Sequence, residues 1–319
     1  MSAAVETMMF AGQVPWHGLG TYVGDEAVTS QVALKESGLD WEVNKVPLKT
    51  VFDTPIATHV AIERSTDSKV LGIVGAKYEP FQNRDAFSML DSLVEGGEMR
   101  YHTAGSLRGG QRVWLLGKFG SHEVVKGDHV DEFVFLYNSH DGSSAVRAIP
   151  TTVRVVCANT AAMALSEAKG RKINGLTVRH TTNMSDRLAQ ASKILGFSRE
   201  IASAEAEVNK FLATLAMNTA KWNEFLAELM PDRETLEEGQ YDTRRNNVRG
   251  DLTNLFEGGV GTDIEGVRGT AWGALNAITE YVNHHSTVKT HKDGLRFENV
   301  MFGTGSDLMA KARKILVAA

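Results

Sequence analysis

The chain has 319 residues, 42% of them hydrophobic, and carries 34 Lys/Arg against 39 Asp/Glu for a formal net charge of -5. That composition fits an ordinary globular protein and excludes one that is basic throughout. The single cysteine, Cys157, excludes an internal disulfide and fits a reducing cytoplasm, and no apolar run approaches the roughly 18–20 residues of a membrane helix, so no membrane partner is expected.

The first forty residues read as glycine-rich and irregular, with a short helix from about Thr29 to Ser37 capped by Thr29 or Ser30. Three extended runs follow, WEVNKVPLKTVF, THVAIER and KVLGIVG, separated by turn-forming Asp-Thr-Pro and Ser-Thr-Asp-Ser. Asn83 is expected to cap a helix whose buried face is Ala86, Phe87, Leu90, Leu93 and Val94, ended by Gly96 and Gly97. From Met99 the period changes to two. MRYHTAGSL and QRVWLLGKF flank an Arg108-Gly109-Gly110 turn, HVDEFVFLYNS follows, and AVRAIPTTVRVV is interrupted at Pro150 by an edge, a bend or a bulge.

The chain then turns helical at CANTAAMALSEA, passes through a basic connector with a short strand at 175–180, and stays mainly helical. A long helix is expected from Ser198 to Met230, stopped by Pro231, with a short one at VRGDLTNLF and a final pair at TAWGALNAITEYVNHH and SDLMAKARKILVAA. The fold class is therefore α+β: an antiparallel β-meander flanked by helices, then a mainly helical C-terminal part. The division falls between a domain at 1–182 and a helical region at 183–319.

Charge is uneven along this plan. Met99 to His180 holds eleven Lys/Arg against six Asp/Glu, whereas the remainder holds 23 against 33. Such asymmetry suggests a localised surface that faces anions. Arg100, Arg108, Arg112, Arg147 and Arg154 fall on the meander, and Arg171, Lys172 and Arg179 on the connector after it. Cations spaced along a groove with interleaved aromatic faces are what single-stranded nucleic acid requires, and Trp114, on the same strand face as Arg112, is the candidate stacking ring, with Tyr101 beside it.

Other chemistry is less well served. Cys157 could act as a nucleophile with His140 and Asp141 nearby, but its apolar neighbours Val155, Val156 and Ala158 point to a buried thiol. The histidines include His284, His285 and His291 without HExxH spacing or a paired cysteine, and no spacing of carboxylates singles out a Mg²⁺ site, so no metal ligand is assigned. GxxxxGK[ST] is absent, which excludes a P-loop ATPase, and no catalytic residue or cofactor is assigned.

PWHGLG, YEPFQNRDAF, NSHDGSSAVRAIPTTVRVVCANT and GTAWGALNAITEYVNHH occur in this order along the chain. Together they resemble a family of uncharacterised phage and plasmid proteins known as a domain of unknown function, a match spanning nearly the whole chain. That resemblance implies a mobile-element setting and a bacterial host cytoplasm, and carries no catalytic residues. The order of elements alone, helix, basic meander, helix, is similar to phage single-strand annealing proteins and their eukaryotic ring-forming counterpart. This second resemblance implies strand binding in a basic groove and homo-oligomeric rings or filaments.

The expected function is accordingly ATP-independent binding and annealing of single-stranded DNA in recombination. Two alternatives remain. One is a hydrolase using Cys157, or His140 with Asp141. The other is an accessory factor that binds a protein through the last helices, with Trp272, Tyr281 and His284 at the contact.

Overall fold

The computed structural model describes residues 5–12, 14–15, 18–24, 28–152, 175–181, 192–232, 243–286 and 304–318. They form an α+β fold of ten strands in two sheets, with helices mainly in the C-terminal half. The described residues group into two compact units. One takes those up to Gly120, 131–152 and 175–200; the other takes Ser121–Val130 and those from Ile201 onward.

In the first unit the opening segment is not irregular. Strand β1 (Val5–Phe10) pairs antiparallel with β6 (Arg100–Leu107), Met9 opposite Ala104, and parallel with the short β2 (Thr21–Tyr22). Its last three residues, Met8, Met9 and Phe10, are all buried, so the strand lacks the apolar–polar alternation that would announce it. Helix α1 (Ser30–Glu36) starts where Thr29 accepts a hydrogen bond from the Val32 N–H at 3.3 Å. Strands β3 (Val43–Lys49), β4 (Pro55–Arg64) and β5 (Val70–Gly75) make a separate antiparallel sheet in the order of the chain.

Helix α2 (Asn83–Glu95) buries Ala86, Phe87, Leu90 and Leu93, as its spacing predicts. Its cap, however, is Gln82, which makes no side-chain capping bond; Asn83 is the first helical residue and is buried, with other partners. Gly97, at φ 71°, supplies the left-handed turn that ends the helix.

The meander comprises β6, β7 (Arg112–Val125), β8 (Asp128–Ser139) and β9 (Val146–Thr151), extended by β10 (Leu176–Val178). The seven-stranded sheet runs β10-β9-β8-β7-β6-β1-β2. Pro150 lies opposite Val134 of β8 and past Ala148, where the recorded β10 pairing ends, so its missing N–H interrupts no recorded ladder on that side. One face of the sheet builds a core from Met9, Ala104, Val113, Leu115, Val134, Leu136, Val146 and Ala148, packed with Phe87, Leu90 and Leu93. The other face is buried as well: Trp114, Leu116, Phe133, Phe135, Tyr137 and Ile149 are all nearly inaccessible.

The second unit is helical, with residues 121–130 among its members. The long helix expected from Ser198 to Met230 is two, α3 (Ser192–Thr214) and α4 (Thr219–Leu229). The break occurs because Asn218 caps α4, accepting from the Lys221 N–H at 3.0 Å, while Met217 N–H bonds the Gly269 carbonyl. Helix α5 (Thr243–Gly258) is followed by α6 (Ala271–Glu280), a π-turn at Tyr281–His285, and α7 (Thr304–Ala318). Trp222 stacks on Phe256 with ring centroids 4.3 Å apart, and Leu212, Leu252, Ile278 and Leu316 close the core around them.

Gly105 shows how tightly the sheet is assembled. A Cβ there would strike the Thr7 carbonyl oxygen of β1 and the Trp114 ring. Gly105→Ala is expected to destabilise by about 1–3 kcal/mol, seen as a lowered urea midpoint at unchanged m-value.

Candidate nucleic-acid interface

Strand register decides which cations can meet. Arg112 pairs with Leu107, Trp114 with Gly105 and Lys118 with Arg100, while an irregularity at His102 shifts the pleat between Tyr101 and Thr103. On β9, Arg147 lies opposite Tyr137 of β8 and Thr177 of β10. Arg100, Arg112 and Arg147 therefore share the face that also carries Trp114, Phe135 and Tyr137. They do not share a place on it. Arg100 and Lys118 mark one end, with Lys118 paired to Asp131; Arg112 and Arg147 mark the other, and roughly 20 Å of strand separates the ends.

At the second end the groups gather around the Tyr137 hydroxyl. Burial pushes its pKa up to about 12, opposed by the pull of the Arg112 and Arg108 guanidinium groups and assisted by Asp141. Asp141 Oδ2 lies 3.8 Å from Arg112 Nε. The Nε of Arg147 is buried and has no hydrogen-bond partner among the described residues. Arg108 opens the β6–β7 turn in a left-handed conformation, φ 53°, followed by Gly109 and Gly110 at 66° and 90°. Arg179 follows β10 and is exposed at this same end, since Val178 pairs with Val146.

Trp114 cannot stack on a base. It is 1% exposed, and its indole N–H donates to Thr103 Oγ1 at 3.1 Å. Tyr101 faces the core and donates to Asp91 Oδ1 at 2.8 Å. The strand pattern puts Trp114 on the face of Arg112 but says nothing of what lies over that face, and Tyr101 lies on the opposite one. Arg154, Arg171, Lys172 and Cys157 lie outside the described residues.

His140 and Asp141 hold the neighbouring β8–β9 loop. Asn83 Nδ2 donates to the carbonyls of Leu39 and Trp41, so its Oδ1 must accept, and His140 Nε2–H donates to it at 3.0 Å. Complete burial pushes the His140 pKa down to about 3; nearby His180 pushes the same way and Asp141 opposes. A neutral imidazole with no exposed atom has no access to a substrate. Asp141 Oδ1 accepts from the Ser143 N–H, shaping the loop as an Asx turn. Trp272 and Tyr281, expected at a protein contact, are buried, and the Trp272 indole donates to Asp128 Oδ2 at 2.7 Å. Among the described residues no cluster of three potential metal ligands occurs, and no helix is long and apolar enough to cross a membrane.

Residues 70–300 match the model of a family described as a domain of unknown function, DUF932. The chain belongs to this family. No curated protein and no solved structure matches the chain. The DUF932 segment takes in the whole meander and every cation assigned from the sequence. It begins one residue after a further cation that the pattern of strands did not single out. Lys69 stands over the β6–β7 turn, and a Cβ on Gly109 would run into its ammonium. It opens the extended run KVLGIVG and precedes β5 by one residue, so strand alternation alone does not bring it to the meander, and only the approach of that segment to the β6–β7 turn reveals it.

The buried imidazole sets a pH dependence. His140 titrates near 6.5 when unfolded and near 3 when folded, so between these values the unfolded chain binds more protons. Its contribution to instability is nil well above pH 6.5 and grows as pH falls, the fold losing about 2 kcal/mol by about pH 5. Urea midpoints at pH 7 and pH 5 should show this loss, and His140→Gln, which keeps a donor near Nε2, should flatten it.

Proposed function

We propose that the protein binds single-stranded nucleic acid through its phosphates, without ATP, and promotes annealing in a phage or plasmid setting. The convergence of Arg108, Arg112 and Arg147 about Tyr137, at one end of the meander and joined there by Arg179, carries this proposal. Guanidinium groups offer paired donors in a planar fork that suits phosphate oxygens, and partial burial strengthens each contact. Bound phosphates release counterions, which supplies much of the affinity and makes it sensitive to salt. Copies of the chain aligned in a ring or filament would add weak contacts along one strand. The hydrolase alternative draws nothing from His140, which has no solvent-facing atom.

Fluorescence anisotropy with a labelled dT oligonucleotide tests the proposal. Three phosphate contacts predict a slope of about -2 in log K against log salt, and Arg147→Ala should make it shallower by about 0.7. Absence of binding, or affinity indifferent to salt, overturns it.

A further inference from the structure

The cations of the meander do not form a track. Between Arg100 at one end of the face and Arg112 with Arg147 at the other stand Trp114, Leu116 and Phe135, none more than 1% exposed. A strand laid along the sheet would therefore meet an apolar, covered surface between its two sets of contacts. What the molecule builds instead is local. Three guanidinium groups and the Tyr137 hydroxyl occupy one end of the sheet, and the Lys69 ammonium stands over Gly109 of the adjoining turn. Asp141, 3.8 Å from Arg112, offsets them in part, and Glu6 and Asp67, paired with Arg64, stand beside the same turn, where Asp67 also accepts from the Lys69 N–H. Five formal positive charges against these three negative ones leave an excess of two, suited to a dianion.

Backbone geometry favours the same conclusion. Three successive left-handed residues at Arg108–Gly110 are an uncommon arrangement, and a non-glycine residue in that region is kept against a steric cost. The turn brings Arg108 beside Tyr137, and the bare Gly109 leaves the room that Lys69 fills.

Resting on the function proposed above, we propose that this end of the sheet binds the terminal phosphomonoester of a nucleic-acid strand. An internal phosphodiester carries one negative charge, whereas a terminal phosphomonoester carries roughly 1.5 to 2 near neutral pH and presents three acceptor oxygens. A terminal group also needs no groove, because the rest of the strand leads away from the protein.

Three oligonucleotides of one sequence, bearing a 5′-phosphate, a 3′-phosphate or only hydroxyl ends, separate the outcomes by competition anisotropy. One phosphorylated form should bind at least tenfold more tightly than the hydroxyl form, and inorganic phosphate should erode that advantage. Lys69→Ala, on an exposed turn and so compatible with folding, should cut the phosphorylated-to-hydroxyl preference to about threefold or less, and a preference kept at about tenfold overturns Lys69 as a contact of that phosphate. Equal, salt-sensitive binding of all three oligonucleotides overturns the terminal-phosphate site but leaves strand binding intact. No binding of any of them overturns both.

Discussion

One buried hydrogen bond holds the first unit in register, the 3.0 Å bond from His140 Nε2–H to Asn83 Oδ1. Asn83 begins α2, and its amide also donates to Leu39 and Trp41, so the approach to β3 is tied to the helix start. From His140 the chain of bonds continues: its backbone N–H donates to the Gln111 carbonyl, and the Gln111 side chain donates to Leu71 of β5. Five pieces of chain distant in sequence are thereby joined through buried or half-buried polar groups. Such a network is favourable when complete, and loss of one member strands the others at a cost of about 1–3 kcal/mol each. Trp41 closes over the imidazole at a ring separation of 5.2 Å, and Arg64, fixed by Glu6 and Asp67, lies over Trp41.

The basic end of the sheet hangs from that network. Asp141 follows His140 directly, so the carboxylate beside Arg112 is placed by a loop with little freedom. Gly72 contributes by omission, since a Cβ there would press into the Asp141 backbone. The β6–β7 turn is held from its other side by Gln111. A charged site gains most when its groups are oriented before the ligand arrives, and here the orientation is built into the core rather than left to mobile side chains.

Much of this was legible in the residues. The meander, the span and buried face of α2 and the Thr29 cap follow from period and turn chemistry. β1 was not, because its partner β6 lies about ninety residues on and nothing local in VETMMF requires a strand. Asn83 illustrates a subtler limit. As a residue type it suits a helix cap, yet its side chain serves a long-range contact with His140 that local rules cannot anticipate. The helix break at Asn218 had a signal, an asparagine followed by threonine, masked by the apolar repeat on either side of it.

The arginines show where alternation stops being informative. A period of two says which side chains share a face, and Arg100, Arg112 and Arg147 do share one. It says nothing of how deeply that face is covered, because a buried strand and a solvated one differ in what packs on them. Here the covered stretch holds large apolar rings and the cations are kept to the ends of the strands, which is the arrangement burial demands: an apolar ring gains by leaving water, whereas a guanidinium must retain a route to water or to an anion. The same constraint that moves the arginines to the rim thus concentrates them. A groove dispersed along the sheet would have required the rings to be exposed, and a concentrated rim site is the alternative that a sheet buried on both faces leaves open.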